Sequence, residues 1–310
     1  MDEFLARPYR LEDAAPVAEL LNTVSAAAGG HLELPAAAIE NVVRTEVADP
    51  SRDTRVITDA QGRVLAVGLV RLPPGGGFRV GLEGGVHPDR RGLGLGRALL
   101  AWQLDRAAEL HAGAAPGTPW LAEVDTGVRD AAAVRLYERL GFAVERFFLE
   151  MIAPVPAPAA APPVVGLRIV PYGPDRERAL HAAHRAAFGG SWGYQERTFE
   201  SWAGLTVRSA TFLPELARLA LAGDEIVGYV LPYADAPRAL YLGQVGTAAP
   251  WRRRGVAGAL IADVLGAAGR SGYTEAALET DADNAAGASG VYEKAGFAVR
   301  HRVVVYRKPL

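Results

Sequence analysis

Apolar residues fall into two alternating patterns along the chain. Runs such as Arg55 to Asp59, Val64 to Arg71, Phe78 to Val86 and Trp120 to Asp125 are dense in Val, Leu and Ala and stop at Gly, Pro or Asp. That is the habit of strands. Between them, Ala14 to Ala28, Ile39 to Ala48, Gly94 to Ala112 and Asp130 to Leu140 space their apolar residues three and four apart, the period of a helix with one buried face. A strand at Leu5 to Arg10 precedes this series and one at Val144 to Met151 follows it. The order then begins again, with a strand at Leu167 to Pro171, a helix at Arg176 to Ala187, a strand at Leu240 to Gly246 and a last strand at Val299 to Arg307. Alternation of this kind predicts an α/β protein, a mixed sheet covered by helices.

The second series repeats the first. Asp59 to Gly68 and Leu221 to Gly228 both spell a strand, a glycine turn and a strand, and 32 residues separate Gly62 from Gly94 just as 32 separate Gly223 from Gly255. From Gly94 to Tyr137 is 43 residues and from Gly255 to Tyr292 is 37, so the second copy is shorter only in its later part. Its missing residues match the loop-like stretch from His111 to Pro119 in the first. Ala153 to Pro163 is rich in Pro and Ala and has neither period, which marks a semi-rigid spacer. The boundaries expected are residues 1–152 for an N-terminal domain, 153–165 for the linker and 166–310 for a C-terminal domain.

Each copy carries the same loop after its fourth strand. The first runs Val86-His87-Pro88-Asp89-Arg90-Arg91-Gly92-Leu93-Gly94-Leu95-Gly96-Arg97, the second Thr247-Ala248-Ala249-Pro250-Trp251-Arg252-Arg253-Arg254-Gly255-Val256-Ala257. A strand ends, small and basic residues follow, and a helix starts at once. Glycines let a ligand approach the backbone, and the unpaired N–H groups and dipole of the helix start favour an anion. The pattern is not a dinucleotide fingerprint, because the sixth position from Gly92 is Arg97, and it is not a P-loop, because neither loop holds lysine. What remains is Arg-x-x-Gly-x-Gly/Ala, a pyrophosphate loop.

Each loop is followed by a second motif, Asp130 to Phe142 with Leu136-Tyr137-x-x-x-Gly141-Phe142, and Asp281 to Phe297 with Asn284 and Val291-Tyr292-x-x-x-Gly296-Phe297. Loop and closing signature, in order and twice, resemble the GNAT superfamily of N-acetyltransferases. The resemblance implies two tandem GNAT-type domains, each a mixed, mostly antiparallel sheet flanked by helices, with acetyl-CoA as cosubstrate and no metal. It assigns acetyl-CoA to Val86, Arg91, Gly92, Gly94, Leu95 and Gly96 in the first copy. In the second it assigns Val245, Thr247, Arg252, Arg253, Arg254, Gly255, Val256, Ala257 and Asn284.

Acetyl transfer from a thioester needs an oriented neutral amine, a donor for the developing oxyanion and a proton for the leaving thiolate. A backbone N–H near the end of the fourth strand suits the oxyanion. By resemblance, Tyr137 and Tyr292 hold the position of the acid; spacing alone also fits tyrosines that pack on a helix with the hydroxyl on a carbonyl. Glu83, in the fourth strand, is the candidate base of the first copy. In the second, Tyr241 is expected near the matching place, and Glu279 and Asp281 on the fifth strand are the nearest acids, as Glu123 and Asp125 are in the first. Each of these acids is equally readable as a solvent-facing strand residue. His181 and His184, three apart on a helix, have no acidic partner there for a metal site. The Ser191 to Tyr194 stretch is a candidate loop over the amine pocket. With Asn284 present, the second copy has the fuller signature and is expected to be the catalytic one.

Of the 310 residues, 50% are hydrophobic and 22% charged, with a net charge of −2 and no cysteine. This excludes a disulfide framework and a thiol nucleophile, and it gives no basic footprint for nucleic acid. No apolar run approaches the roughly 20 residues of a membrane span. The expectation is therefore a cytoplasmic N-acetyltransferase with a small amine as partner and no nucleic-acid or membrane partner, as a monomer or homodimer. A protein N-terminus as acceptor, or a CoA-sensing module without turnover, are the alternatives.

Overall fold

The computed structural model describes residues 4–30, 33–72, 78–114, 117–155, 164–283 and 287–310. In chain order the elements of the first half are β1 (Leu5–Arg7), α1 (Ala14–Ala27), α2 (Ala36–Glu46), α3 (Pro50–Asp53), β2 (Thr54–Thr58), β3 (Val64–Arg71), β4 (Arg79–Val86), α4 (Leu95–Ala114), β5 (Leu121–Gly127), α5 (Ala131–Arg139) and β6 (Ala143–Pro154). The second half gives β7 (Arg168–Pro171), α6 (Glu177–Phe188), α7 (Phe199–Leu205), β8 (Arg218–Ala222), β9 (Glu225–Ala234), β10 (Ala239–Thr247), α8 (Val256–Arg270), β11 (Glu275–Asp281), α9 (Ala288–Lys294) and β12 (Ala298–Pro309).

The chain forms two compact units, and they do not divide where the composition does. One holds residues up to Phe147 together with His301–Leu310; the other holds Phe148–Arg300. The expected boundary after residue 152 falls inside β6, because the last strand of each half completes the sheet of the other. β12 pairs antiparallel with β5, setting Tyr306 opposite Val124, and β6 pairs antiparallel with β11, setting Met151 opposite Leu278. A repeat in the sequence fixes what each strand is, not which sheet it joins.

In the first unit the strand order is β1-β2-β3-β4-β5-β12. Val17, Leu20, Ile39 and Val43 of α1 and α2 cover Val56, Val67 and Leu69 on one face. Leu100 and Ala107 of α4 cover Val70, Val80, Leu82 and Val124 on the other. β3 is thus buried on both faces, which explains its unbroken apolar run. The second unit repeats the order as β7-β8-β9-β10-β11-β6. Leu180 and Trp202 of α6 and α7 pack with Leu219, Leu221 and Leu231, while Val256, Leu260, Ile261 and Val264 of α8 pack with Leu240, Leu242 and Leu278.

The β4–β5 and β10–β11 pairs are parallel and brief. β4 meets β5 only from Arg79 to Gly81, and β10 meets β11 only from Ala239 to Tyr241. Beyond these points each fourth strand runs on without its parallel neighbour, which leaves an opening that ends at the glycine- and arginine-bearing loop.

Candidate active site

Both loops deliver a bare helix start to that opening. In the first unit Gly92 and Gly94 take φ of 82° and 85°, and a Cβ on either would meet nothing within 4 Å. They are needed for backbone conformation, with open space outside. Leu95 is buried beneath the loop, and Gly96 would place a Cβ at 3.5 Å from Leu136 and Val86, an ordinary contact. Room for a methyl at Gly96 explains Ala257 at the matching place. In the second unit Gly255 takes φ of 83° at the N-cap of α8, with no side chain capping the helix. Arg253 sits where Gly92 sits and is forced to φ of 61°, a left-handed conformation that costs a side-chain-bearing residue about 1 kcal/mol. Arg252, Arg253 and Arg254 are all exposed, the last over the Trp251 ring at 5.1 Å, and Val256 is buried in the core.

The two arginines that lead the motif differ. Arg91 is paired with Asp130 at 3.0 Å, and Asp130 also caps α5 by accepting from the N–H groups of Ala132 and Ala133. The aspartate at the signature's asparagine position therefore neutralises the first loop's arginine. Arg252 instead donates to the carbonyls of Thr247 and Ala187, which orders the loop, and among the described residues no acid is paired with it. Asn284 lies outside the described residues.

The closing signature is a helix stop. Gly141 and Gly296 are left-handed, and the N–H groups of Phe142 and Phe297 reach back to the carbonyls of Tyr137 and Tyr292 at 3.0 Å each. This is a Schellman cap, with the phenylalanine ring against the tyrosine it closes on. Tyr137 donates its hydroxyl to the Asp125 carbonyl at 3.2 Å. Tyr292 is 8% exposed within the α8 core, and burial pushes its hydroxyl up to about 12.

Glu83 does not stand free in the first unit's opening. It is ion-paired with Arg71, which also holds Glu46 at 3.1 Å. Burial pushes the Glu83 carboxyl above the usual range, with Arg71 opposing and Glu46 adding to the rise. Beside it, Glu123 is tied to Arg79 and Arg307. No local motif announces that Arg71 reaches across the strands to Glu83.

In the second unit the residue matching Glu83 is Gln244 rather than Tyr241. Glu83 faces Leu69 on β3 and Gln244 faces Leu231 on β9, each three residues before the loop. A bulge at Gly243 shifts the register between Leu242 and Gln244, and Tyr241, opposite Tyr233 as Gly81 is opposite Arg71, lies further from the loop than the Glu83 place. The Tyr241 hydroxyl accepts the Glu279 backbone N–H; burial and then the charges of Glu279 and Glu150 hold it protonated. Glu279 lies directly opposite Glu150 of β6. Glu150 was not expected, because its strand belongs by sequence to the other half. Val245 is half-buried, and the Thr247 hydroxyl and Gln244 Oε1 are buried without hydrogen-bond partners. His184 Nδ1 is 2.7 Å from the Tyr229 hydroxyl, an aromatic pair rather than half of a metal site with His181.

Two parallel-strand openings, each ending at a left-handed glycine and a helix start, accompany matches that make the chain an acetyl-CoA-dependent transferase. The chain belongs to the GNAT acetyltransferase family. Residues 178–297 match the acetyltransferase (GNAT) family and residues 52–144 an acetyltransferase (GNAT) domain. Among curated relatives, the mycothiol acetyltransferase of Tsukamurella paurometabola is 33% identical over 258 residues, 76% of this chain and 80% of that one. The mycothiol acetyltransferase of Nocardia farcinica is 28% identical over 310 residues, 95% and 94% of the two chains. Among solved structures, a GCN5-related N-acetyltransferase from Sphaerobacter thermophilus superposes with a TM-score of 0.81 at 29% identity, covering 99% of this chain and 95% of that one. Among the described residues no helix is long and apolar enough to cross a membrane.

Proposed function

We propose that the chain transfers the acetyl group of acetyl-CoA to the primary amine of a small molecule, and that the C-terminal unit is the working half. The observation that carries this reading is the β10 bulge at Gly243. It lies where β10 leaves β11, a few residues before the exposed arginines and bare helix start of α8. Bulges re-aim the backbone, and one here turns β10 toward a thioester lying in the opening. The pyrophosphate rests on the start of α8 near Arg252, Arg253 and Arg254.

The amine nitrogen attacks the thioester carbonyl directly, without a covalent enzyme intermediate. A β10 backbone N–H beyond the bulge stabilises the oxyanion. Collapse breaks the carbon–sulfur bond, the thiolate takes the Tyr292 proton, and the amine's surplus proton leaves to a carboxylate of the opening or to water. Burial pushes the Tyr292 hydroxyl up to about 12, so it enters the reaction protonated, as a donor rather than a phenolate. The relatives' name points to a thiol-bearing amine as one version of the acceptor.

A second reading holds for the N-terminal unit alone. With Arg91 neutralised by Asp130 and Glu83 held by Arg71, that unit binds acetyl-CoA without turning it over, as a sensor or support. The test is release of free CoA thiol when acetyl-CoA and a panel of small primary amines are supplied. Release that falls at least tenfold on Tyr292→Phe and not on Tyr137→Phe supports the reading. Acetyl-CoA binding with no release for any amine overturns it.

A further inference from the structure

Glu150 and Glu279 form a directly opposed cross-strand pair on β6 and β11, an arrangement that like charges disfavour. Both charges also bear on the Tyr241 hydroxyl in the gap between β10 and β11. Glu150 Oε2 is buried and has no hydrogen-bond partner. A buried carboxylate oxygen beside a second carboxylate is costly unless a cation satisfies it. The first unit treats its own opening differently: Arg71 supplies Glu83, and Arg79 and Arg307 supply Glu123. On β11 itself, Glu275 has Arg300 at 3.3 Å. Among the described residues no arginine is ion-paired with Glu150.

The same face carries an apolar wall. Phe148, two residues before Glu150 and so on its side of β6, faces the Trp192 ring with centroids 6.0 Å apart. Among the described residues no group of three His, Cys, Asp or Glu is arranged for a metal ion, and a carboxylate pair beside aromatic rings suits an organic cation better.

We propose that Glu150, side by side with Glu279, is the subsite that receives the acceptor as an ammonium ion, its apolar or aromatic portion lying on Phe148 and Trp192. This rests on the acetyltransferase reading of the C-terminal unit and narrows its substrate to cationic amines with an apolar flank. It also gives the strand exchange a use, since the carboxylate that receives the acceptor comes from the half of the sequence that does not hold the working loop. Glu150 is here a binding residue, and proton removal from the nitrogen remains a separate step.

The probe is benzylammonium chloride, with benzyl alcohol as its uncharged counterpart. Binding to the full chain in the presence of CoA is followed by ligand-observed NMR, and acetyl-CoA binding is titrated separately on the same samples. The expected result is that benzylammonium binds and benzyl alcohol does not. Glu150→Gln should weaken benzylammonium about tenfold or more, Glu150→Asp should recover part of the loss, and Glu275→Gln should change nothing. Thermal melting of each variant shows that it is folded. Equal binding of the alcohol, absence of benzylammonium binding, or an unaltered affinity in Glu150→Gln overturns the subsite. If acetyl-CoA still binds in that event, the subsite alone has failed; if acetyl-CoA binds to neither unit, the transferase reading has failed with it.

Discussion

Gln244 occupies in β10 the place that Glu83 occupies in β4: each is opposite a leucine of the preceding strand and three residues before the loop. An amide cannot take a proton from an ammonium, whereas the carboxylate in the other unit is already held by Arg71. The conventional place for a base is thus vacant in one unit and locked in the other. Glu83→Gln is therefore expected to leave amine-dependent CoA release within about twofold of the parent rate, while Glu279→Gln lowers it about tenfold or more. Steady-state kinetics with a free-thiol assay decides it. A large loss on Glu83→Gln would move catalysis to the N-terminal unit.

Both loops keep their left-handed glycine and bare helix start, so calorimetry with acetyl-CoA should count two sites per chain. Gly94→Glu and Gly255→Glu each set a carboxylate where the proposed function rests the pyrophosphate and should each remove one site, but only Gly255→Glu should stop turnover. A single site in the unaltered chain would show that one loop no longer binds.

Arg253 offers a cleaner test of the second loop, because strain and charge act in opposite directions there. Arg253→Gly removes the cost of φ at 61° and should raise stability by about 0.5–1 kcal/mol. It also removes an exposed cation beside the pyrophosphate and should weaken acetyl-CoA about three- to tenfold. Urea unfolding and calorimetry on one variant give both signs. Higher stability with unchanged affinity would mean that Arg253 does not face the ligand.

Glycines of the first unit separate in the same way. A Cβ on Gly84, which has φ of 148°, would fall inside the Val67 carbonyl oxygen, so Gly84→Ala should cost about 3 kcal/mol or more. Gly96→Ala should be neutral or stabilising by about 0.5 kcal/mol, since its methyl has room and alanine favours the helix. Denaturant midpoints of the two variants check the contrast.

The fold was legible where local pattern decides it. The two-sided burial of β3 made Val64 to Arg71 an unbroken apolar run, and the Schellman caps made Gly141-Phe142 and Gly296-Phe297 readable as helix stops. The loops were legible because left-handed glycines and helix starts leave a residue signature. Long-range pairing was not legible. Nothing near residue 150 announces that β6 completes the second unit's sheet, so Glu150 could not be set beside Glu279. The Gln244 match, by contrast, was legible: Glu83 stands 11 residues before Gly94 and Gln244 stands 11 before Gly255, so the expectation at Tyr241 missed what the spacing carries. Arg71 and Asp130, which neutralise Glu83 and Arg91, act across tertiary contacts that no local motif encodes.

His184 carries a pH dependence whose sign follows from its surroundings. Burial lowers its imidazole from 6.5 to about 4, and the charges of His181 and Arg197 add to the effect. The Tyr229 hydroxyl, which burial holds protonated, shares a hydrogen bond with the neutral ring at Nδ1, and the Tyr229 ring in turn abuts Gly246 just before the loop. As pH falls below 6.5 the unfolded chain takes up a proton that the folded chain refuses until about 4, so stability is lost across that window. The loss is about 3 kcal/mol at most. His184→Gln keeps an acceptor for Tyr229 and cannot titrate. Its unfolding free energy, followed by tryptophan fluorescence in urea, should therefore fall less steeply between pH 6.5 and 4 than that of the parent chain. Parallel curves would place His184 in solvent contact and detach it from the packing that fixes β9 against the end of β10.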